Sequence, residues 1–309
     1  MTNNGKEYMD IKEYYRYAIE DLKSANIETP ELDAGVMLCH VLKCDKAHLY
    51  SHYDRVLDKE ELRLLREMLN QRILNVPLQY IVGETEFMGL SFSVSPAVLI
   101  PRQDTETLVE ECIKLVGLIT KQAELGKTDM HKVNDALITN VKVLDMCTGS
   151  GCIAVSIAHY CPESIVVACD ISEAAIYIAR ENCERNRVDK RVKLYCGDLF
   201  ESLAGEQQFN IIVSNPPYIE SNVIPELQKE VKNHEPFLAL DGGKDGLDFY
   251  REIIAKAPKY LINGGYLALE IGYNQGQSVK KIMKEFFFEI TVYKDLGGND
   301  RVVIGRYDK

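Results

Sequence analysis

The 309-residue chain reads as an α/β protein, a mostly parallel sheet with an antiparallel pair at one edge, preceded by a bundle of helices. Three observations carry that reading. From residue 141 onward, short apolar runs alternate with helical stretches, the pattern of a parallel sheet covered on both faces. Two β-rich runs near the C-terminus follow one another without a helix between them. Residues 8 to 75 carry helical spacing alone.

Within that first stretch, Asp10 and Glu13 stand three apart like a capping box, and Ile11, Tyr15, Ala18 and Leu22 follow along one face. Thr29-Pro30-Glu31 places a cap hydroxyl, a proline at the first helical position and an acid against the dipole. Leu62, Leu65, Leu69 and Ile73 stripe a third helix before Pro77. Residues 1–82 are therefore expected to form a helical bundle.

Between 83 and 102 the texture changes. Gly83, Phe87 and Gly89-Leu90 are followed by Phe92 and Val94 alternating with serines, a period of two that predicts a short hairpin linker. Residues 104–119 resume helical spacing with Leu108, Cys112 and Leu115, opening a domain expected over 103–309. Residues 120–140 are polar and are expected to be a mobile surface insertion. Strands are expected at VKVLDM, SIVVACD, VKLYCGD, NIIVSN and GYLALEI, and the antiparallel pair at FFFEITVY and RVVIGRY.

Composition sets outer bounds. With 46% hydrophobic and 27% charged residues, 20 Gly and 10 Pro, the chain is globular in character. Its net charge of −11 repels nucleic acid and anionic membranes. Nine cysteines, none spaced as CxxC, give neither a disulfide framework nor a zinc ribbon. Cys39, His40, Cys44 and His48 are irregularly spaced, which favours packing over a zinc site, so no metal is expected. MTNNGKEYMD has no apolar signal core and no run spans a bilayer, so a reducing, cytoplasmic location is expected, with no membrane partner.

Ligands of open parallel sheets bind outside the carboxyl ends of the strands. The first strand ends in Asp145-Met146-Cys147-Thr148-Gly149-Ser150-Gly151-Cys152, a glycine turn that brings backbone close to a ligand as a helix begins. The second ends at Asp170, 25 residues after Asp145, where a carboxylate can accept from both hydroxyls of a ribose. The third ends at Gly197-Asp198, where Asp198 is either another rim acid or a cap for the next segment. This much fits either a dinucleotide or S-adenosylmethionine.

The fourth strand separates the two. It ends in Ser214-Asn215-Pro216-Pro217-Tyr218, which has no role in hydride transfer but suits methyl transfer to a planar nitrogen. Such a nitrogen has its lone pair delocalised and attacks poorly. Two fixed acceptors, the Asn215 side-chain oxygen and the Pro216 carbonyl, can each take one N–H and favour the positively charged nitrogen of the transition state. Consecutive prolines fix φ and remove competing donors, and Tyr218 offers a flat face. Glu270 stands at the end of its strand either as a rim residue or as a buried acid.

The Asn-Pro-Pro-Tyr corner resembles that of methyltransferases acting on adenine, cytosine, guanine or a glutamine amide. Pro77-Leu78-Gln79-Tyr80-Ile81, Leu99-Ile100-Pro101-Arg102-Gln103-Asp104-Thr105-Glu106, and Glu235-Pro236 leading into Asp241-Gly242-Gly243-Lys244-Asp245-Gly246-Leu247 narrow it. Together, over residues 8 to 307, they resemble the S-adenosylmethionine-dependent methyltransferases of peptide chain release factors, whose catalytic domain is Rossmann-like. The resemblance implies methylation of the glutamine in the Gly-Gly-Gln loop of class 1 release factors, with the helical bundle helping to dock that partner. It implies that Asn215, Pro216, Pro217 and Tyr218 hold the glutamine amide. It also implies that Cys147, Thr148, Gly149, Ser150, Gly151, Asp170, Asp198 and Leu199 surround S-adenosyl-L-methionine, with Asn215 bordering both. Cys147 departs from the family, which often has glycine there, and its side chain should restrict the turn. The alternative is a nucleic-acid amino methyltransferase of the adenine-N6 type, disfavoured by net acidity and the lack of a basic recognition segment.

Overall fold

A computed structural model of the chain describes residues 8–127, 140–203 and 208–309. These divide into two compact units: residues up to Gly83 with Gln228–His234, and Glu84–Leu227 with Glu235–Lys309.

The first unit is built from α1 (Ile11–Ser24), α2 (Pro30–Leu42), α3 (Lys46–Ser51), α4 (Lys59–Ile73) and α5 (Leu78–Val82). The Asp10/Glu13 capping box forms, and Asp58 with Glu61 makes a second at α4. Thr29 does not cap α2. Its hydroxyl donates instead to Asp33 Oδ1 at 2.8 Å. The buried face of α1 is Ile11, Tyr14, Ala18 and Leu22, so Tyr14 takes the place expected of Tyr15. Its hydroxyl donates to the Leu65 carbonyl at 2.7 Å, which satisfies the polar end of an otherwise apolar ring. Gln228–His234 joins this unit through Glu230, which meets the Arg72 guanidinium at 2.5 Å. Arg72 also meets Asp33 at 2.6 Å, and both partners of that pair are buried.

In the second unit β1 (Glu84–Phe87) and β2 (Leu90–Ser93) pair antiparallel through Met88-Gly89. Those two residues have φ of 52° and 69°, the left-handed pair of a tight hairpin turn. The chain continues through α6 (Gln103–Lys127), β3 (Val141–Met146), α7 (Cys152–Tyr160), β4 (Ser164–Asp170), α8 (Glu173–Arg185), β5 (Val192–Cys196) and β6 (Phe209–Ser214). After α9 (Lys229–His234), counted with the helical unit, come α10 (Asp248–Lys256), β7 (Leu261–Glu270), α11 (Gly276–Met283), β8 (Phe288–Lys294) and β9 (Asp300–Arg306). Of the insertion expected at 120–140, residues 120–127 extend α6, and 128–139 lie outside the described residues.

The strand order is β5-β4-β3-β6-β7-β9-β8, parallel through β7, with β9 and β8 antiparallel at the edge as the C-terminal runs predict. Alternation along β3 sends Val143 into one apolar cluster and Leu144 into the other, so both faces of the sheet are buried. Chain order reverses at β3, which is flanked by β4 on one side and β6 on the other. The crevice beyond the carboxyl ends of these three strands is where the topology leaves room for a ligand.

Candidate functional site

The turn after β3 is anchored from beneath by Asp145. Its Oδ2 accepts from the Thr148 hydroxyl at 2.5 Å and the Ala154 N–H at 3.2 Å, while Oδ1 is buried with no partner. Burial pushes this carboxyl up to about 7, against those two hydrogen bonds. The turn then alternates, with left-handed φ at Cys147 (58°), Gly149 (54°) and Gly151 (79°). Cys147 thus adopts the left-handed conformation that glycine takes freely, even with the side chain expected to restrict the turn.

The end of β4 locks onto this turn. Asp170 Oδ2 accepts from the Gly149 N–H at 2.9 Å and Oδ1 from the Ser172 N–H at 3.0 Å. Each oxygen keeps a further lone pair. Burial raises the Asp170 carboxyl, and these backbone donors oppose the rise. A Cβ on Gly149 would meet nothing within 4 Å, so the bare backbone there opens onto free space.

At the end of β6, Ser214 donates to the Met146 carbonyl at 2.8 Å and fixes the start of the corner against β3. Asn215 Nδ2 donates to Thr105 Oγ1 at 3.3 Å, and burial pushes the nearby Glu270 carboxyl up to about 7, with Thr105 and Asn215 among the groups that oppose the rise. The backbone after Tyr218 runs along the Asp241–Gly243 segment: Ile219 N–H donates to the Leu240 carbonyl at 3.0 Å and Gly242 N–H to that of Ile219 at 2.8 Å. A Cβ on Gly242 would lie 2.7 Å from Tyr218 Cα, and one on Gly246 2.4 Å from the Tyr218 carbonyl oxygen. Those glycines let one backbone rest directly on the other. Gln275 Nε2 joins the two, donating to the Tyr218 carbonyl at 3.0 Å and the Gly246 carbonyl at 3.2 Å. The stretches around Arg102 and Glu235 also meet, in an ion pair whose carboxylate is buried.

These strand ends enclose a cavity of about 360 Å³. Of the sequence-predicted residues, Cys147, Thr148, Gly149, Ser150, Asp170, Asp198, Leu199, Asn215 and Pro217 line it. Asp198 makes no side-chain cap to the turn that follows it. Gly151, Pro216 and Tyr218 are not among the lining residues. Gly151 is the N-cap of α7, where a Cβ would come 3.1 Å from Ala179 Cβ. Pro216 is buried at the corner, and the Tyr218 ring packs against the apolar cluster on that face of the sheet. Burial raises the Tyr218 phenol far above its usual range, with Glu270 adding to the shift. The ring is half-buried there.

Sequence reading missed several lining residues. Leu99, Pro101, Arg102 and Thr105 border the cavity from the segment entering α6, and Phe249 and Glu252 from α10. The first four sit inside a motif that was read as a family marker without a place in the site. Cys152, behind the turn, is pushed up to about 12 by burial, which suppresses its thiolate. Among the described residues no group of three or more His, Cys, Asp or Glu is placed to hold a metal, and no helix is long and apolar enough to cross a membrane.

Residues 13–83 match the family model of the PrmC N-terminal domain, and residues 130–234 that of the methyltransferase small domain. The release factor glutamine methyltransferase of Geobacter sulfurreducens is 42% identical over 286 residues, covering 92% of this chain and 92% of that protein. The protein of the same name from Thermodesulfovibrio yellowstonii is 40% identical over 273 residues, covering 88% of this chain and 91% of that one. Among solved structures, the hMettl16 catalytic domain aligns with a TM-score of 0.52 at 14% identity over 82% of this chain and 84% of that one, a likeness of fold alone.

Proposed function

Because the chain belongs to the release factor glutamine methyltransferases, we propose that its cavity joins S-adenosyl-L-methionine to a release-factor glutamine at the Asn215 corner. The chain is an enzyme that methylates the side-chain amide nitrogen of glutamine in a release factor. We assign the target as the Gly-Gly-Gln loop of class 1 factors, and docking of that protein to the helical unit.

The cavity residues suit the cofactor. Asp170 retains lone pairs for ribose hydroxyls, Gly149 offers bare backbone over open space, and Asp198 and Leu199 border the same cavity. Bound there, S-adenosylmethionine supplies a methyl group on a sulfonium, so the protein needs no covalent nucleophile.

What the chain supplies is orientation. The single observation that carries the reading is that the Asn215 amide nitrogen donates to Thr105 Oγ1, which leaves Oδ1 for the cavity that Asn215 lines. The Pro216 carbonyl accepts no hydrogen bond among the described residues and is the second acceptor. Two acceptors fixed before the substrate arrives favour a nitrogen that becomes positive as it attacks, at no cost of reorganisation. The net charge of −11 supports a protein substrate over DNA.

The test uses methyl-labelled S-adenosylmethionine with a class 1 release factor in one reaction and adenine-containing DNA in another. Label on the Gly-Gly-Gln glutamine, located by mass spectrometry, is the expected result. Label on DNA alone overturns the assignment.

A further inference from the structure

Glu270 ends β7 next to the corner, is 1% exposed, and has no part in the chemistry above. A carboxylate this deep is costly unless its neighbours compensate it. Those neighbours come from every element packed around it. The start of α6 brings the Thr105 hydroxyl and Asp104, the turn after β6 brings Asn215 and Tyr218, and β9 brings Arg301. From α10, Tyr250 donates to the Glu270 carbonyl at 2.8 Å, and Cys152 of α7 lies in the same field. Arg301 is itself held by Asp295 at 3.1 Å and Asp104 at 2.9 Å, so its charge is shared. Oε2 of Glu270 is left buried with no partner.

The polar atoms closest to the reaction form a short relay. Asn215 Nδ2 donates to Thr105 Oγ1, and the register that pairs Ser214 with Leu269 sets Asn215 beside Glu270, whose charged form both Thr105 and Asn215 favour. A carboxamide has a donor end and an acceptor end of nearly equal size, and a half-turn about its last bond exchanges them. Turned the wrong way, Asn215 would set N–H against the N–H groups of a substrate amide. A hydroxyl alone cannot prevent this, because it both donates and accepts. An ionised carboxylate only accepts.

We propose that Glu270 is a positioning residue for methyl transfer: directly and through Thr105, it holds the amino end of the Asn215 carboxamide away from the substrate so that Oδ1 faces the cavity. This rests on the reading that Oδ1 accepts from the substrate amide. Protonated, Glu270 gains a donor and loses its selectivity for the amino end. Burial pushes it up to about 7, with Asp104 adding to the rise and Arg301, Thr105 and Asn215 opposing it. Turnover at saturating cofactor and release factor therefore rises with pH as Glu270 ionises, with a limb near neutrality.

The experiment measures kcat for labelled methyl transfer into a release factor from about pH 5.5 to 8.5, with cofactor affinity by calorimetry, for wild type, Glu270→Gln and Thr105→Val. Glu270→Gln keeps the volume but restores a donor. It is expected to lower kcat about 10- to 100-fold at high pH, flatten the limb near neutrality, and leave cofactor affinity within about twofold. Thr105→Val keeps shape without a hydroxyl and is expected to lower kcat in the same direction by a smaller factor. Wild-type kcat and an unchanged limb in Glu270→Gln would overturn the proposal, as would equal loss of kcat and cofactor affinity, the mark of a residue that merely holds the fold. If Glu270→Gln fails to fold, an unaltered kcat in Thr105→Val refutes the relay. Wild-type enzyme that leaves the release factor unlabelled refutes the underlying reading instead.

Discussion

The Gly149 N–H donates to Asp170 Oδ2 across 2.9 Å, so the turn after β3 and the end of β4 form one wall of the cavity. Asp170 thus orders the turn, and in the function proposed above its remaining lone pairs are what a cofactor ribose would meet. Asp170→Ala is expected to weaken S-adenosylmethionine binding by about 100-fold, since hydrogen bonds to a charged acceptor are each worth about 1.5–3 kcal/mol. Asp170→Asn, which keeps one neutral acceptor, should fall between the two. Calorimetric titration with the cofactor distinguishes them.

Two glycines separate binding from folding. Gly149→Ala adds a methyl group that meets nothing within 4 Å, at a φ of 54°. It should cost only about 1–2 kcal/mol of stability, the left-handed penalty, yet reduce cofactor affinity because that methyl enters the ligand's space. Gly246→Ala, at φ 69°, would drive its Cβ to 2.4 Å from the Tyr218 carbonyl oxygen. Strain and overpacking together should cost about 2–4 kcal/mol and displace the Asn-Pro-Pro-Tyr corner. Thermal melts alongside cofactor titration give the opposite rank orders expected for the two variants.

The helical unit depends on Arg72. Its guanidinium meets buried Asp33 at 2.6 Å and Glu230 at 2.5 Å. Arg72→Met strands the Asp33 charge in the interior and should destabilise this unit by about 3–5 kcal/mol. Adding Asp33→Leu should recover most of the loss, because the uncompensated charge goes with it. Urea unfolding of the single and double variants checks both statements.

Asp145 sets a pH dependence of stability. Its carboxyl lies at about 7 in the folded chain against an ordinary 3.8, so the native state holds the proton more tightly than the unfolded one. The stabilisation is complete below about pH 3.8 and is lost as pH rises to about 7, with a slope approaching 1.4 kcal/mol per pH unit. Asp245 and Asp295, held below their ordinary values, act with the opposite sign but only at more acid pH. Stability of the cofactor-free enzyme should therefore fall between about pH 5 and 7, and less steeply in Asp145→Asn. Denaturant titrations across that range measure it.

The ends of β3, β4 and β6 were legible because each is a short apolar run that leads at once into a residue lining the cavity. β3 and β4 coincide with the expected VKVLDM and SIVVACD. Cys147 was legible as an anomaly, but only the backbone reveals that it adopts a φ of 58°. Gln228–His234 gave no signal, since seven mostly polar residues have no periodicity to assign them to the helical unit. Thr105 gave no signal of its own and Glu270 showed only as a strand-end acid, for a different reason. They meet Asn215 across 110 and 55 positions, a proximity created by the sheet order that sets β7 beside β6.

The central claim is that the Asn215 carboxamide oxygen grips the reacting nitrogen. Its most direct test is kcat of Asn215→Ala with a release factor, measured beside cofactor affinity. A fall of about 10² to 10³-fold in kcat, with S-adenosylmethionine bound nearly as in wild type, is the predicted result. Turnover within a few-fold of wild type would contradict it.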